Sequence, residues 1–405
     1  RAMRLIADGV VERDGVEGLA VRLGYSSRQL HRLLTEQWAA GALALARSRR
    51  AQSARVLIES TTMTLTEVAF AAGFSSVRQF NDTIREVYAA TPTQLRHGRR
   101  GSGAAAGVIG TRIAVREPFG RVALHDFLSR RCVDGIEEVE GDTYSRTLRL
   151  PHGAGRVSVD LGGDAKGAVA AQFWLHDVRD LAPALERTRR LLDADSDPAA
   201  VDAALGQDPA LAASVRRLPG LRVPGHPDGF ELAVRAVLGQ QISVARAGAL
   251  VAQVVQRWGT DSAVGRLFPS AAELAEADLS VLPIPRARAR TLSALAAAVG
   301  AGLALDGSAA RADVRQGLLD IPGIGPWTAD YIAMRALGDP DVWLPTDAGT
   351  RHAAAVLGPD VNDLDRRSDD WRPWRSYAQM HLWAIAAGPG IGCVQERAVQ
   401  DVDRD

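Results

Sequence analysis

Residues 318–333 read Leu318-Leu319-Asp320-Ile321-Pro322-Gly323-Ile324-Gly325-Pro326-Trp327-Thr328-Ala329-Asp330-Tyr331-Ile332-Ala333, and residues 344–351 read Leu344-Pro345-Thr346-Asp347-Ala348-Gly349-Thr350-Arg351. The first stretch predicts a helix, a tight turn on two glycines and a second helix. Gly323 and Gly325 allow backbone angles that other residues resist, and they let the chain approach a partner closely. Backbone N–H groups at the start of the second helix then face outward, where they suit a phosphate. Asp347 follows Trp327 by 20 residues, on the far side of that helix. A carboxylate held beside a phosphate-gripping hairpin suggests chemistry on nucleic acid.

Further segments extend the pattern outward: Asp126-Phe127-Leu128, Tyr144-Ser145-Arg146, Val237-Leu238-Gly239-Gln240-Gln241-Ile242-Ser243, and Trp374-Arg375-Ser376-Tyr377-Ala378 with His381-Leu382-Trp383. With the hairpin and Asp347, they resemble the helix-hairpin-helix DNA glycosylases, most closely the AlkA type, 3-methyladenine DNA glycosylase II. The resemblance runs from about Thr111 to Trp383. A lone hairpin also occurs in non-catalytic DNA-binding modules. The hairpin, the spaced aspartate and Leu238-Gly239-Gln240-Gln241 in one order are far more specific.

The first 97 residues read as all-helical. The segments Val16–Arg32 and Leu65–Asn81 share one pattern and begin 49 residues apart, which marks a duplication. Each is a short amphipathic helix, a glycine and aromatic turn (Gly24-Tyr25, Gly73-Phe74), a serine N-cap and a second helix. That is helix-turn-helix geometry. With Tyr88, Pro92, Leu95 and Arg96 following, residues 1–97 resemble AraC-type DNA-binding domains.

Residues 98–110, rich in Gly, Ser and Ala, predict a flexible linker. Between 111 and 195, strands are expected at Tyr144–Leu150, Arg156–Leu161 and Val169–Leu175, and helices at Phe119–Arg131 and Val178–Leu192. This order resembles the β-rich N-lobe of the AlkA type. Residues 196–388 read as helical throughout and form the expected glycosylase domain; residues 389–405 lack periodicity and read as a tail. The expected fold is therefore mainly α with one α+β lobe.

Composition sets bounds on these readings. A hydrophobic share of 46% and a charged share of 24% over 405 residues describe a globular protein of two or three domains. Formal net charge is zero, which excludes a uniformly basic surface, yet residues 1–100 carry fifteen Arg against nine Asp plus Glu. The two cysteines, Cys132 and Cys393, lack metal-ligand spacing and fit a reducing cytosol. No apolar run of transmembrane length and no signal peptide is visible. The expected location is the bacterial cytoplasm, on the nucleoid. The chain opens on Arg1 rather than Met, which leaves room for an upstream domain.

Asp347 is the catalytic candidate: a carboxylate can stabilise an oxocarbenium-like sugar and orient water. An aspartate after Leu344-Pro345 also suits a helix N-cap, and the two roles can coexist. Related glycosylases that also cut the backbone place a lysine where this chain has Trp327. The only lysine, Lys166, lies in another lobe, so hydrolysis in a single step is implied. Trp327 and Tyr331 are four residues apart and share a helix face. With Trp383 and Phe127 they match the family's base pocket, whose aromatic faces attract a cationic alkylated purine. Each could equally be a core aromatic.

Gln241 matches the residue that fills the gap left by a flipped base. Pro322, Gly323, Ile324 and Gly325 form the phosphate-binding hairpin. The resemblance assigns the carbonyls of Leu319, Ile321 and Ile324 to a monovalent cation, Na or K. Arg28, Arg32, Arg78 and Asn81 lie on the two recognition helices, where they would contact bases or phosphates, or form a solvated face.

The reading is a monofunctional DNA repair glycosylase for alkylated bases, fused to a transcription-regulator module of the adaptive response to alkylation. Its partners would be damaged duplex DNA and promoter DNA, with the protein a monomer and no cofactor required. Fusions of this kind resemble Ada-type regulators, whose upstream zinc domain needs four cysteines; two cysteines rule out that zinc site in this chain. A regulator whose glycosylase-like part only grips DNA, and a glycosylase with lyase activity, are the alternatives.

Overall fold

Residues 2–97 fold into seven helices: α1 (Ala2–Ala7), α2 (Val10–Leu23), α3 (Ser27–Trp38), α4 (Ala42–Ser60), α5 (Leu65–Ala71), α6 (Val77–Tyr88) and α7 (Pro92–His97). The computed structural model describes residues 2–7, 9–97, 108–163, 166–306, 310–358 and 361–388. Most of the expected linker, the expected tail and Cys393 lie outside the described residues.

The duplicated motif folds twice in the same way. Ser26 and Ser76 cap α3 and α6, each accepting from the backbone N–H three residues on (Gln29 and Gln79). Gly24 and Gly73 turn the chain with φ of +74° and +83°. The central α4 separates two cores. Leu19, Leu23, Leu30 and Leu34 pack on one side; Leu57, Ile58, Val68, Phe80 and Ile84 belong to a cluster that continues into the next lobe.

That lobe is an antiparallel sheet of β1 (Ile109–Ala114), β2 (Glu137–Glu140), β3 (Thr143–Leu150), β4 (Gly153–Asp160) and β5 (Ala168–Leu175), in the order β1-β5-β4-β3-β2. Helix α8 (Arg121–Ser129) precedes β2, and a 3-10 turn at Val178–Asp180 leads into α9 (Leu181–Leu191). The expected strands and helices shift by one to three residues. Two strands have no counterpart in the sequence reading. Ile109 and Gly110, expected in the linker, open β1 and pair with Phe173 and Gln172. Only Ile109 and Ile113 of β1 are buried, with Gly110, Thr111 and Arg112 between them, too sparse for a period of two to show. Acidic Glu137 and Glu138 likewise hide β2.

Strand β1 is an edge strand, and α4 packs against it and against α9; α1 also packs on α9. The helix-turn-helix domain thus packs against an edge strand of the sheet and the helix beside it.

The remaining described residues are helical: α10 (Pro198–Leu205), α11 (Pro209–Arg217), α12 (Gly229–Leu238), α13 (Val244–Trp258), α14 (Ala271–Ala275), α15 (Arg286–Gly300), α16 (Arg311–Leu319), α17 (Pro326–Ala336), α18 (Ala348–Leu357), α19 (Val361–Arg367) and α20 (Arg375–Ala386). Helix α12 is the hub, buried at every position but Arg235 and packed on α13, α15 and α17. Its C-terminus carries Gln240 and Gln241; α17 starts at the glycine hairpin. Packing α12 on α17 therefore sets those two features side by side. No helix among the described residues is long and apolar enough to cross a membrane.

Candidate active site

Ile321 and Ile324 are buried and anchor the hairpin, while Pro322, Gly323 and Gly325 face solvent. Ile324 N–H donates to the Ile321 carbonyl at 3.0 Å and closes the turn. Gly323 has φ +92°, and a Cβ there would stand 2.1 Å from Thr291 Oγ1. Gly325 differs from expectation: its φ is −93°, an ordinary extended angle. What it supplies is the absence of a side chain. It is the N-cap of α17 and offers no side-chain acceptor, so nothing on that residue competes with an external anion for the first N–H groups. The carbonyls of Leu319, Ile321 and Ile324 lie at the end of α16 and in this turn.

Asp347 is the N-cap of α18. Its Oδ1 accepts from Gly349 N–H at 2.8 Å and Thr350 N–H at 3.2 Å. Two indoles complete the grip: Trp383 Nε1 donates to Oδ1 at 2.7 Å, and Trp327 Nε1 donates to Oδ2 at 3.0 Å. Trp383 reaches this position only because residue 349 is glycine; a Cβ there would lie 2.5 Å from Trp383 Cδ1.

Trp327 and Tyr331 stack with ring centroids 5.3 Å apart and planes 9° apart, and Tyr331 lies 6.3 Å from the tilted Trp383 ring. One cavity of about 1190 Å³ is walled by Phe127, Gln241, Trp327, Tyr331, Asp347 and Trp383, and by Gly323 and Gly325 of the hairpin. Sequence-distant candidates are therefore brought together. Because Tyr331 occupies one face of Trp327, a flipped base cannot insert between those two rings.

Phe127 sits differently from a bare aromatic wall. The guanidinium carbons of Arg131 and Arg335 lie 3.8 Å and 4.6 Å from its ring centroid. Arg335 also donates to Tyr331 Oη at 2.9 Å and to the Pro224 carbonyl. Burial lowers both guanidinium pKa values below the usual range. Neither arginine stood out in the sequence, where each reads as one of many surface arginines.

Behind them lies a buried ionic cluster that joins β2 and β3 to α12. Arg146 binds Glu137 at 3.1 Å and Glu231 at 2.7 Å; Arg235 binds Glu137 at 2.9 Å and Glu231 at 2.5 Å. Burial opposes the charge on both glutamates. The two arginines outweigh it, holding Glu137 below and Glu231 well below the usual carboxylate range. Burial pushes the His226 ring below its ordinary value, against the pull of Glu231. Glu137, His226 and Glu231 lie close enough to share a metal ion. Two guanidinium groups already satisfy both carboxylates, so the cluster is an interlobe clasp.

Gln241 projects from the turn after α12, exposed, with φ +60°. Arg28, Arg32 and Arg78 are exposed on α3 and α6, and Asn81 is half-buried. Arg32 lies 3.8 Å from Glu36, and Arg78 lies 4.0 Å from Asp82. None of these four lines the cavity. Lys166 is exposed on the turn between β4 and β5 and also lies outside the lining.

Comparison with known proteins agrees with this architecture. Residues 111–228 match the family described as AlkA N-terminal domain, and residues 19–98 match the helix-turn-helix domain family. The "probable bifunctional transcriptional activator/DNA repair enzyme AlkA" of Mycobacterium tuberculosis is 48% identical over 401 residues, 96% of this chain and 80% of that protein. DNA-3-methyladenine glycosylase 2 of Escherichia coli K12 is 35% identical over 269 residues, 64% of this chain and 90% of that protein. The solved 3-methyladenine DNA-glycosylase of Archaeoglobus fulgidus shares the fold with a TM-score of 0.61 at 18% identity, covering 69% of this chain and 98% of that one. The chain belongs to the AlkA family of DNA-3-methyladenine glycosylases, in the two-part form that carries a helix-turn-helix domain ahead of the enzyme.

Proposed function

We propose that this chain removes alkylated bases of the 3-methyladenine type from duplex DNA by hydrolysing the N-glycosidic bond, with Asp347 as the catalytic residue. The observation that carries the reading is the setting of Asp347. Its carboxylate stands in the wall of an aromatic cavity beside the hairpin, fixed by two indole and two backbone N–H groups. Preorganised charge of this kind stabilises a developing sugar cation without reorganising as the bond breaks. The alkylated purine is cationic and leaves as a neutral base. Water completes the reaction, giving free base and an abasic site.

Trp327 stands where lyase-type relatives have a lysine, and its indole N–H is committed to Asp347. This supports hydrolysis without a Schiff base. The hairpin grips the phosphate, with a monovalent cation on the carbonyls of Leu319, Ile321 and Ile324 as an added contact. Gln241 fills the gap left by the flipped base. The N-terminal domain binds promoter DNA through α3 and α6, using Arg28, Arg32, Arg78 and Asn81. The protein acts as a monomer in the bacterial cytoplasm, on the nucleoid.

The test is incubation with duplex DNA containing 3-methyladenine. Release of free base with alkali-labile sites, and no borohydride-trapped adduct, is expected. Tight duplex binding without base release would support the non-catalytic regulator instead, and a trapped adduct would support the lyase.

A further inference from the structure

The turn that carries Gln241 and the glycine hairpin come from distant parts of the chain, yet four hydrogen bonds from three side chains tie them into one body. Gln240 Nε2 donates to the Gly323 carbonyl at 3.0 Å and to Thr328 Oγ1 at 3.0 Å. The Gln240 carbonyl in turn accepts from Arg288 Nη2 at 2.9 Å. Thr291, one turn further along α15, donates to the Pro322 carbonyl at 2.8 Å. Helix α15 therefore holds the Gln241 turn with Arg288 and the hairpin with Thr291, while Gln240 spans directly between the two.

The conformation of Gln241 explains why such a brace is needed. With φ +60° it occupies the left-handed region, which a non-glycine residue keeps only where its surroundings impose it. Gln240 is the residue before it, and both its side chain and its carbonyl are fixed. Released from those contacts, the turn would relax and Gln241 would lose its aim.

We infer that Gln240, with Arg288, is a positioning residue that couples phosphate capture by the hairpin to insertion of Gln241, so that docking and base flipping occur as one step. The inference rests on the proposed wedge role of Gln241. Gln240 itself does not touch the reacting bond; it acts through Gln241.

The experiment compares duplexes carrying 7-methylguanine opposite cytosine or in a single-base bulge, where unpairing has already been met. For Gln240→Leu and, independently, Arg288→Met, single-turnover excision from the paired duplex should fall about tenfold, the worth of one lost polar contact. Excision from the bulge should stay within about twofold of wild type, as should affinity for undamaged duplex. A 2-aminopurine beside the lesion should brighten more slowly in both variants. An equal loss on paired and bulged substrates, or unchanged excision on both, would overturn the coupling. Gln241→Gly separates the two claims. If that variant flips and excises as wild type does, the wedge reading itself fails. If it is impaired while both brace variants are normal, the coupling alone fails.

Discussion

Trp383 Nε1 lies 2.7 Å from Oδ1 of Asp347, though the two residues are 36 positions apart on different helices. With Trp327 on the other carboxylate oxygen, the walls of the cavity also hold its charged group in place. Trp383→Phe keeps an aromatic wall and removes the donor. Single-turnover excision should fall about ten- to a hundredfold, the range for a hydrogen bond to a charged group, with damaged-duplex affinity nearly unchanged. An equal loss of affinity would mean that the ring, and not its N–H, is what matters.

The two hairpin glycines should separate stability from binding. Gly323→Ala places a Cβ against Thr291 at a left-handed φ, so it should lower unfolding free energy by about 1–3 kcal/mol in urea titrations. Gly325→Ala meets nothing within 4 Å and keeps an ordinary φ. Its unfolding midpoint should match wild type, while duplex affinity drops for damaged and undamaged DNA alike. That drop should shrink at high salt, where phosphate contacts contribute less.

Burial pushes the His381 ring down to about 4 from its ordinary 6.5. Its Nδ1 lies 3.0 Å from Ser214 Oγ. Between those values the unfolded chain binds a proton that the folded one refuses, so stability falls as pH drops from about 6.5 to 4. The contribution reaches about 3 kcal/mol. Asp193, pushed up to about 6 by burial, works in the opposite sense and masks part of this in wild type. The comparison with His381→Asn removes that mask: the stability gap between the two proteins should narrow steadily from pH 7 to pH 4. A pH-independent gap would mean the ring takes up its proton in the folded chain as readily as in the unfolded one.

Residues 1–97 alone should fold as helices and bind duplex DNA without excising bases. Residues 108–388 alone should still excise, because every cavity residue lies within them. That fragment exposes β1 and the faces of α9 that α1 and α4 cover, so its thermal midpoint should fall and its tendency to aggregate rise. A folded but inactive fragment would show that the first domain completes the site.

The hairpin, Asp347 and the duplicated helix-turn-helix were legible because each is a local pattern of glycines, caps and spacing. The brace was not: Gln240 meets Gly323 83 residues away, and nothing in either segment reveals the other. Arg131, Arg335 and the Glu137–Arg146–Glu231–Arg235 cluster were hidden for a related reason. Charged residues at buried positions look like surface residues until their partners from another lobe are in view. Gly349 carried a readable signal, a glycine two residues after the catalytic candidate, but its purpose depends on where Trp383 lands.

The most direct test of the central claim is excision of 3-methyladenine by Asp347→Asn, measured together with duplex affinity. The amide oxygen can still accept from Trp383 and the two backbone N–H groups that Oδ1 now serves, while its NH2 replaces the acceptor facing Trp327 and only that bond is lost, so the helix cap, the fold and the cavity should survive. Without the negative charge, excision should fall at least about a thousandfold while affinity stays within about threefold. Turnover within about tenfold of wild type would contradict the assignment of Asp347 as the catalytic carboxylate.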